Sequence, residues 1–171
     1  IPTGTVMAYG QGRIWMVKGD LLLAGDLVGS GPSAVITFTE RQDLASSGDL
    51  SPSYTIGPVV GLNFIPQQDT QTGQGSLLVF GTIGVTSVFA DKERSTWAEG
   101  IARLTLIGIG GTGHRSITPF NGDDWFRAND GWRSYRQARA EIQSWARVPF
   151  STEVQPFINR ETPWLLPYTS S

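Results

Sequence analysis

The residues with the most chemical potential in this sequence stand close together, between Gly108 and Tyr135. His114 is the only histidine, so imidazole base chemistry has one candidate and a multi-histidine metal site has none. A serine hydrolase would have to pair it with a hydroxyl such as Ser116, yet there is no G-x-S-x-G elbow to expose that nucleophile. His114 therefore reads as a loop residue beside Arg115. Just before it, Gly108-Ile109-Gly110-Gly111-Thr112-Gly113 matches the glycine pattern that cradles a dinucleotide pyrophosphate, a reading that requires a helix next. The next residues are instead HRSITPF, β-branched and proline-bearing. The glycines read as a flexible crossover between structural units, and no cofactor is expected.

Three carboxylates come next, Asp123, Asp124 and Asp130. Adjacent aspartates at a strand start point to opposite faces, and the spacing does not match the loop that wraps calcium, so no metal is expected. Glycoside cleavage needs two carboxylates at a working separation, and nothing in the spacing selects such a pair. Trp125, Phe126, Trp132 and Tyr135 are the residue types that stack on sugar rings. Trp125 and Phe126 face opposite ways along a strand, so at least one belongs to the core. Trp15 holds the place equivalent to Trp125 in an earlier copy of the same pattern, which favours core for the series. No catalytic residue is assigned. With no cysteine in the chain, thiolate chemistry and disulfides are also excluded.

These residues sit in the last of three copies of one pattern, two short apolar runs joined by a glycine-bearing turn. The copies span Gly12 to Asp26, Gly75 to Phe89 and Gly122 to Arg136, each preceded by a further strand-like run, TVMAY, VVGLNFI or SITPF. The hairpins Arg13 to Gly25, Ser76 to Phe89 and Asp123 to Tyr135 should then be antiparallel and hold equivalent places in three small sheets. Asn121-Gly122 and Asn129-Asp130-Gly131 supply residues that tolerate positive φ in tight turns. The expected class is all-β with one short helix near the C-terminal part. Its architecture is a set of repeated antiparallel β-meanders, a partial β-propeller or related stacked-sheet array.

The 171 residues suffice for a single domain, or are a fragment of a larger propeller-like protein, with units at about 5–39, 54–109 and 114–146 and an extended C-terminal arm at 147–171. The start at Ile1 and the polar end Tyr168-Thr169-Ser170-Ser171 suggest a piece of a longer polypeptide. The third unit ends in helical spacing, Tyr135, Ala138, Ile142 and Trp145, which predicts a helix from about Ser134 to Ala146. In the second unit the run ARLTLIGI alternates, with one slip at Leu104.

Composition narrows the partners. The 21 glycines, 10 prolines and 16% charged residues fit a turn-rich β protein. A formal net charge of −2 argues against a general nucleic-acid binder, and no apolar stretch is long enough to span a bilayer as a helix. Arginines and carboxylates interleave late in the chain, which favours paired or interface charges, with Arg133, Arg136 and Arg139 as candidate contact residues. The polar insertion carrying Gln67, Gln68 and Gln71, and the stretch from Gln42 to Ser53, have little to bury and read as exposed loops available for contact.

The segment RSITPFNGDDWFRANDGWRSYRQARAE, followed by WARVPFSTEVQPFINRETPWLL, resembles a region of large virion-associated proteins of tailed bacteriophages, whose β-propeller-like modules serve in the tail or neck. The resemblance is best from Arg115 to Leu166 and looser over the two earlier copies. It implies a non-enzymatic structural role in the virion, in assembly or host adsorption, with other virion proteins as partners in a homo- or hetero-oligomer. It carries over no catalytic residue. The alternative is a carbohydrate-binding or glycoside-cleaving propeller fragment.

Overall fold

The computed structural model of the chain describes residues 4–19, 21–38, 53–66, 74–89 and 102–140. Within them lie three antiparallel sheets, each a meander in chain order. The first contains β1 (Val6–Gly10), β2 (Arg13–Lys18), β3 (Leu21–Val28) and β4 (Val35–Phe38). The second contains β5 (Val59–Pro66), β6 (Gln74–Gly81), β7 (Gly84–Val88) and β8 (Ala102–Ile107). The third contains β9 (Ile117–Phe120), β10 (Asp123–Ala128) and β11 (Gly131–Ser134). Two short helices accompany them, α1 (Ser53–Ile56) before the second sheet and α2 (Tyr135–Ala140) after the third. The all-β class and the repeated meanders expected from the sequence are what the structure shows.

The first hairpin of the first sheet and that of the third are built alike. Gln11 and Gly12 turn with φ of 51° and 72°, and Asn121 and Gly122 turn with the same two values. Positive φ at both central residues matches the twist of the flanking strands, which is why a two-residue hairpin settles there. Gly10 pairs with Arg13 and Phe120 with Asp123 in consequence, and the whole register of each sheet follows. At the other junction of the third sheet only Gly131 has positive φ, at 141°, while Asn129 and Asp130 stay in the ordinary region. The antiparallel hairpin expected there forms, with Gly131 as the residue of the junction that takes up positive φ.

Two cores lie on the opposite faces of the second sheet. Trp15, Val17, Leu22 and Ala24 of the first sheet pack with Leu62, Phe64, Leu77 and Val79 of the second. Phe126 and Ala128 of the third sheet, with Tyr135 and Ala138 of α2, pack with Leu78, Phe80, Val85 and Leu106 on the other side. The Phe80 and Phe126 rings meet at 5.1 Å between centroids, tilted by 55°. The uninterrupted run Leu77-Leu78-Val79-Phe80 is thus explained: a strand covered on both faces has no need of alternation. The slip in ARLTLIGI is a bulge. Val85 pairs with Leu106 and Thr86 with Leu104, so Thr105 is the extra residue.

The glycine-rich crossover after β8 is pinned rather than flexible. Gly108 N–H donates to the Ile83 carbonyl at 2.8 Å, and Gly111 N–H to the Gly81 carbonyl at 2.8 Å. A Cβ at Gly110 would sit 2.2 Å from the Thr82 backbone, so this close approach admits only glycine. A 3-10 turn, His114–Ser116, follows and leads into β9, so the helix that a dinucleotide site requires is absent at this position. Tyr135 and Ala138 are buried as their spacing predicts. The rest of the predicted helix, with Ile142 and Trp145, the arm at 147–171 and the loop residues Gln67, Gln68 and Gln71 all lie outside the described residues.

Trp15 is fully buried where the first and second sheets meet. Trp15→Ala should cost about 3–5 kcal/mol, the usual penalty for emptying a packed tryptophan site, whereas Met7→Ala on the exposed side of β1 should cost well under about 1 kcal/mol. Urea unfolding of the two variants followed by far-UV circular dichroism checks the difference.

Candidate functional site

The two carboxylates at the start of β10 diverge as alternation demands. Asp124 lies on the face toward the second sheet, where Asn63 of β5 donates from Nδ2 to its Oδ1 at 2.5 Å. The side chain is fully buried and its Oδ2 accepts no hydrogen bond among the described residues. Burial raises its pKa from 3.8 to about 6; the Asn63 hydrogen bond opposes this, the neighbouring Asp123 charge adds to it and the Arg136 charge opposes it. A proton therefore resides on Asp124 in mildly acidic solution.

Asp123 points the other way and organises the start of α2. Its Oδ1 accepts from the backbone N–H of Asp124 at 2.7 Å and of Arg136 at 3.0 Å, and its Oδ2 accepts from the Ser134 hydroxyl. Ser134 Oγ in turn accepts from Gln137 N–H at 3.2 Å. That is an N-cap, with the serine itself held by a strand carboxylate, so one of the otherwise orphaned donors of the first helical turn finds a partner. The adjacent aspartates are thus a structural pair, each bonded on its own face of the strand.

Asp130, third of the carboxylates, clasps Arg133 across the β10–β11 turn, Nη2 to Oδ2 at 2.5 Å and Nε to Oδ1 at 3.1 Å. Arg133 side-chain exposure is only 4%, against 55% for Asp130. Arg133 was expected at a contact surface, but its guanidinium is buried and committed to this turn. Arg136 and Arg139 stand exposed on α2. His114 is exposed in its 3-10 turn. Ser116 sends its hydroxyl to the Gly113 carbonyl at 2.7 Å and lies 3.3 Å from the Thr112 hydroxyl, so it closes the turn rather than meeting an imidazole. No three His, Cys, Asp or Glu side chains among the described residues are grouped to hold a metal ion. No described helix is long and apolar enough to cross a membrane.

Phe126 is core, as one of the Trp125–Phe126 pair had to be. Trp125 is half-buried on the face of the third sheet away from the second, its ring edge-on to Phe120 at 5.8 Å. Trp15, at the equivalent place in its copy of the pattern, instead faces the second sheet and is buried against it, whereas no sheet among the described residues packs on the Trp125 face.

One surface was missed by reasoning from single residues. The face of the first sheet away from the second carries Met7, Leu27 and Ile36, exposed by 59%, 66% and 39%, around the buried Met16 and Leu23. The signal was present in the runs TVMAY, LLLAG and AVITF, which are apolar at both alternating positions although they belong to the first sheet of the stack.

Two outcomes are expected from this geometry. Because Asp124 binds its proton more tightly folded than unfolded, the stability it confers is complete below about pH 4 and is lost as pH rises through about 6. Ionising it costs on the order of 3 kcal/mol. Asp124→Asn should therefore be more stable than the parent at pH 7 and lose this pH dependence between 4 and 6, as read from unfolding free energies at several pH values. Ser134→Ala should cost about 1 kcal/mol through the cap, and Asp123→Ala more, because Asp123 serves three donors. Chemical denaturation at pH 7 ranks the two.

No family model, no curated protein and no solved structure matches this chain.

Proposed function

We propose that this protein is a non-catalytic structural component of a bacteriophage virion, in the tail or neck, that works through contacts with other subunits in assembly or host adsorption. The observation that carries the contact reading is the exposed apolar end of the β3–β4 hairpin, with Leu27 paired to Ile36 on one side and Val28 to Val35 on the other. Contiguous apolar exposure of this kind marks a surface that another macromolecule covers. The virion assignment rests on the resemblance over Arg115 to Leu166. Arg136 and Arg139, exposed on α2, add directional donors for partner carboxylates beside the third sheet.

A glycoside-cleaving role would need paired carboxylates on one surface. Asp123 is engaged with Ser134 and α2, and Asp124 is sealed between two sheets on the opposite face of the strand, so this pair has no shared access to a glycosidic bond.

Changing Arg136 and Arg139 together to alanine should lower incorporation into purified particles several-fold while leaving the thermal midpoint of the isolated protein within about 1 °C of the parent, since exposed substitutions seldom move stability. Quantitative mass spectrometry of the particles and differential scanning fluorimetry read the two effects. Cleavage of a glycan or ester by the purified protein, lost on changing His114, Asp123 or Asp124, would contradict the proposal.

A further inference from the structure

The two joints of the stack are held differently. Between the first and second sheets the packed core is apolar, with Trp15, Val17, Leu22 and Ala24 set against Leu62, Phe64, Leu77 and Val79. Between the second and third, a carboxyl group lies inside the joint. Asp124 of β10 is fully buried there, and Asn63 of β5 donates to its Oδ1 across the gap between the sheets. Its Oδ2 has no hydrogen-bond partner among the described residues. A carboxylate taken out of water needs several donors, and this one has a single neutral amide. The protonated form suits the closed joint, whereas the charged form is served best by water that enters when the sheets part.

The groups around Asp124 do not supply the missing donors. β5 offers neutral Asn63, and the register partner on β9 is Pro119, which has neither charge nor N–H. On β11, the Arg133 guanidinium is committed to Asp130. His114 and Arg115, in the 3-10 turn that packs on β5 and β10, are exposed. Burial is the largest influence on Asp124 and, with the Asp123 charge, outweighs the Asn63 bond and the charge of exposed Arg136, so the carboxyl titrates at about 6.

We propose that ionisation of Asp124 releases the third sheet, together with α2, from the second, so that this joint opens more often as pH rises while the joint between the first and second sheets stays shut. The unit that parts is consecutive in the chain, β9, β10, β11 and α2, and the glycine crossover, bonded to the carbonyls of Gly81 and Ile83, tethers it. Phe126, Ala128, Tyr135 and Ala138 move together and bare Leu78, Phe80, Val85 and Leu106. Apolar contact keeps the closed form in the majority, and titration multiplies the open one. Because the closed joint holds the proton more tightly, the gain from closure is complete below about pH 4 and is lost as pH rises through about 6. From pH 5 to pH 7.5 the open population should grow roughly tenfold. Such an opening is local, with one sheet answering to pH and the other two indifferent to it.

The chain has no cysteine, so a single introduced thiol can report on each joint. Ala128→Cys and Ala138→Cys sit in the joint of the second and third sheets, and Ala24→Cys in that of the first and second. Each adds only a sulfur atom, so near-UV circular dichroism at pH 5 should show the parent fold. Iodoacetamide labelling rates, divided at each pH by the rate of a free cysteine peptide, measure opening. Between pH 5 and pH 7.5 the corrected rates of Ala128→Cys and Ala138→Cys should rise together, by about tenfold, while that of Ala24→Cys changes by less than about twofold. Adding Asp124→Asn should abolish the rise. Equal acceleration of all three reporters would mean that the whole protein unfolds, and would overturn the proposal. So would rates of Ala128→Cys and Ala138→Cys that stay level, a rise confined to one of them, or a rise that persists with Asp124→Asn.

Discussion

The structure depends on one strand that has no outer side. Leu77, Leu78, Val79 and Phe80 of β6 are all fully buried, two facing the first sheet and two facing the third. Fully burying a side chain of this size contributes roughly 1.5–3 kcal/mol, and a single sheet cannot cover both faces of such a strand. The apolar run thus dictates a layer on either side of it, and the other two sheets supply those layers. The flanking glycines serve the same end: Gly110 lets the crossover to the third sheet run against the β6–β7 turn, where a side chain would clash with the backbone.

The two joints differ in chemistry. The first is apolar throughout its core, led by Trp15. The second admits Asn63 and Asp124, a buried polar pair among aromatic and aliphatic neighbours. Burying a carboxylate costs stability, and its raised pKa measures that cost. What the pair provides is a directional bond between β5 and β10, which fixes how the third sheet sits on the second. On the other face of β10, Asp123 fixes the start of α2, whose Tyr135 and Ala138 complete the same core. Two adjacent residues therefore tie the third sheet to β5 and to the start of α2.

Much of this was legible in the amino-acid sequence because turn chemistry and strand alternation are local. Gln11-Gly12 and Asn121-Gly122 declare their hairpins, and the slip at Leu104 is the trace of a bulge in β8. Opposite facing of Trp125 and Phe126, and of Asp123 and Asp124, follows from the strand period alone. The burial of Arg133 did not follow, because it depends on a turn that brings Asp130 within reach of its guanidinium. Nor did the firm seating of the glycine crossover, which rests on backbone bonds to the β6–β7 turn, far earlier in the chain. The exposure of Leu27 and Ile36 was hidden for a related reason: an apolar strand looks the same whether both of its faces are covered along its whole length or only in part.

The whole stack turns on β6, Gln74–Gly81, as the strand whose two covered faces hold the other sheets in place. Hydrogen–deuterium exchange of the protein tests that claim most directly, because it reports the stability of every strand in one experiment. The amides of β6 should be among the slowest to exchange, and those of β4, Val35–Phe38, among the fastest. Amides in β6 that exchange as fast as those of β4 would contradict it.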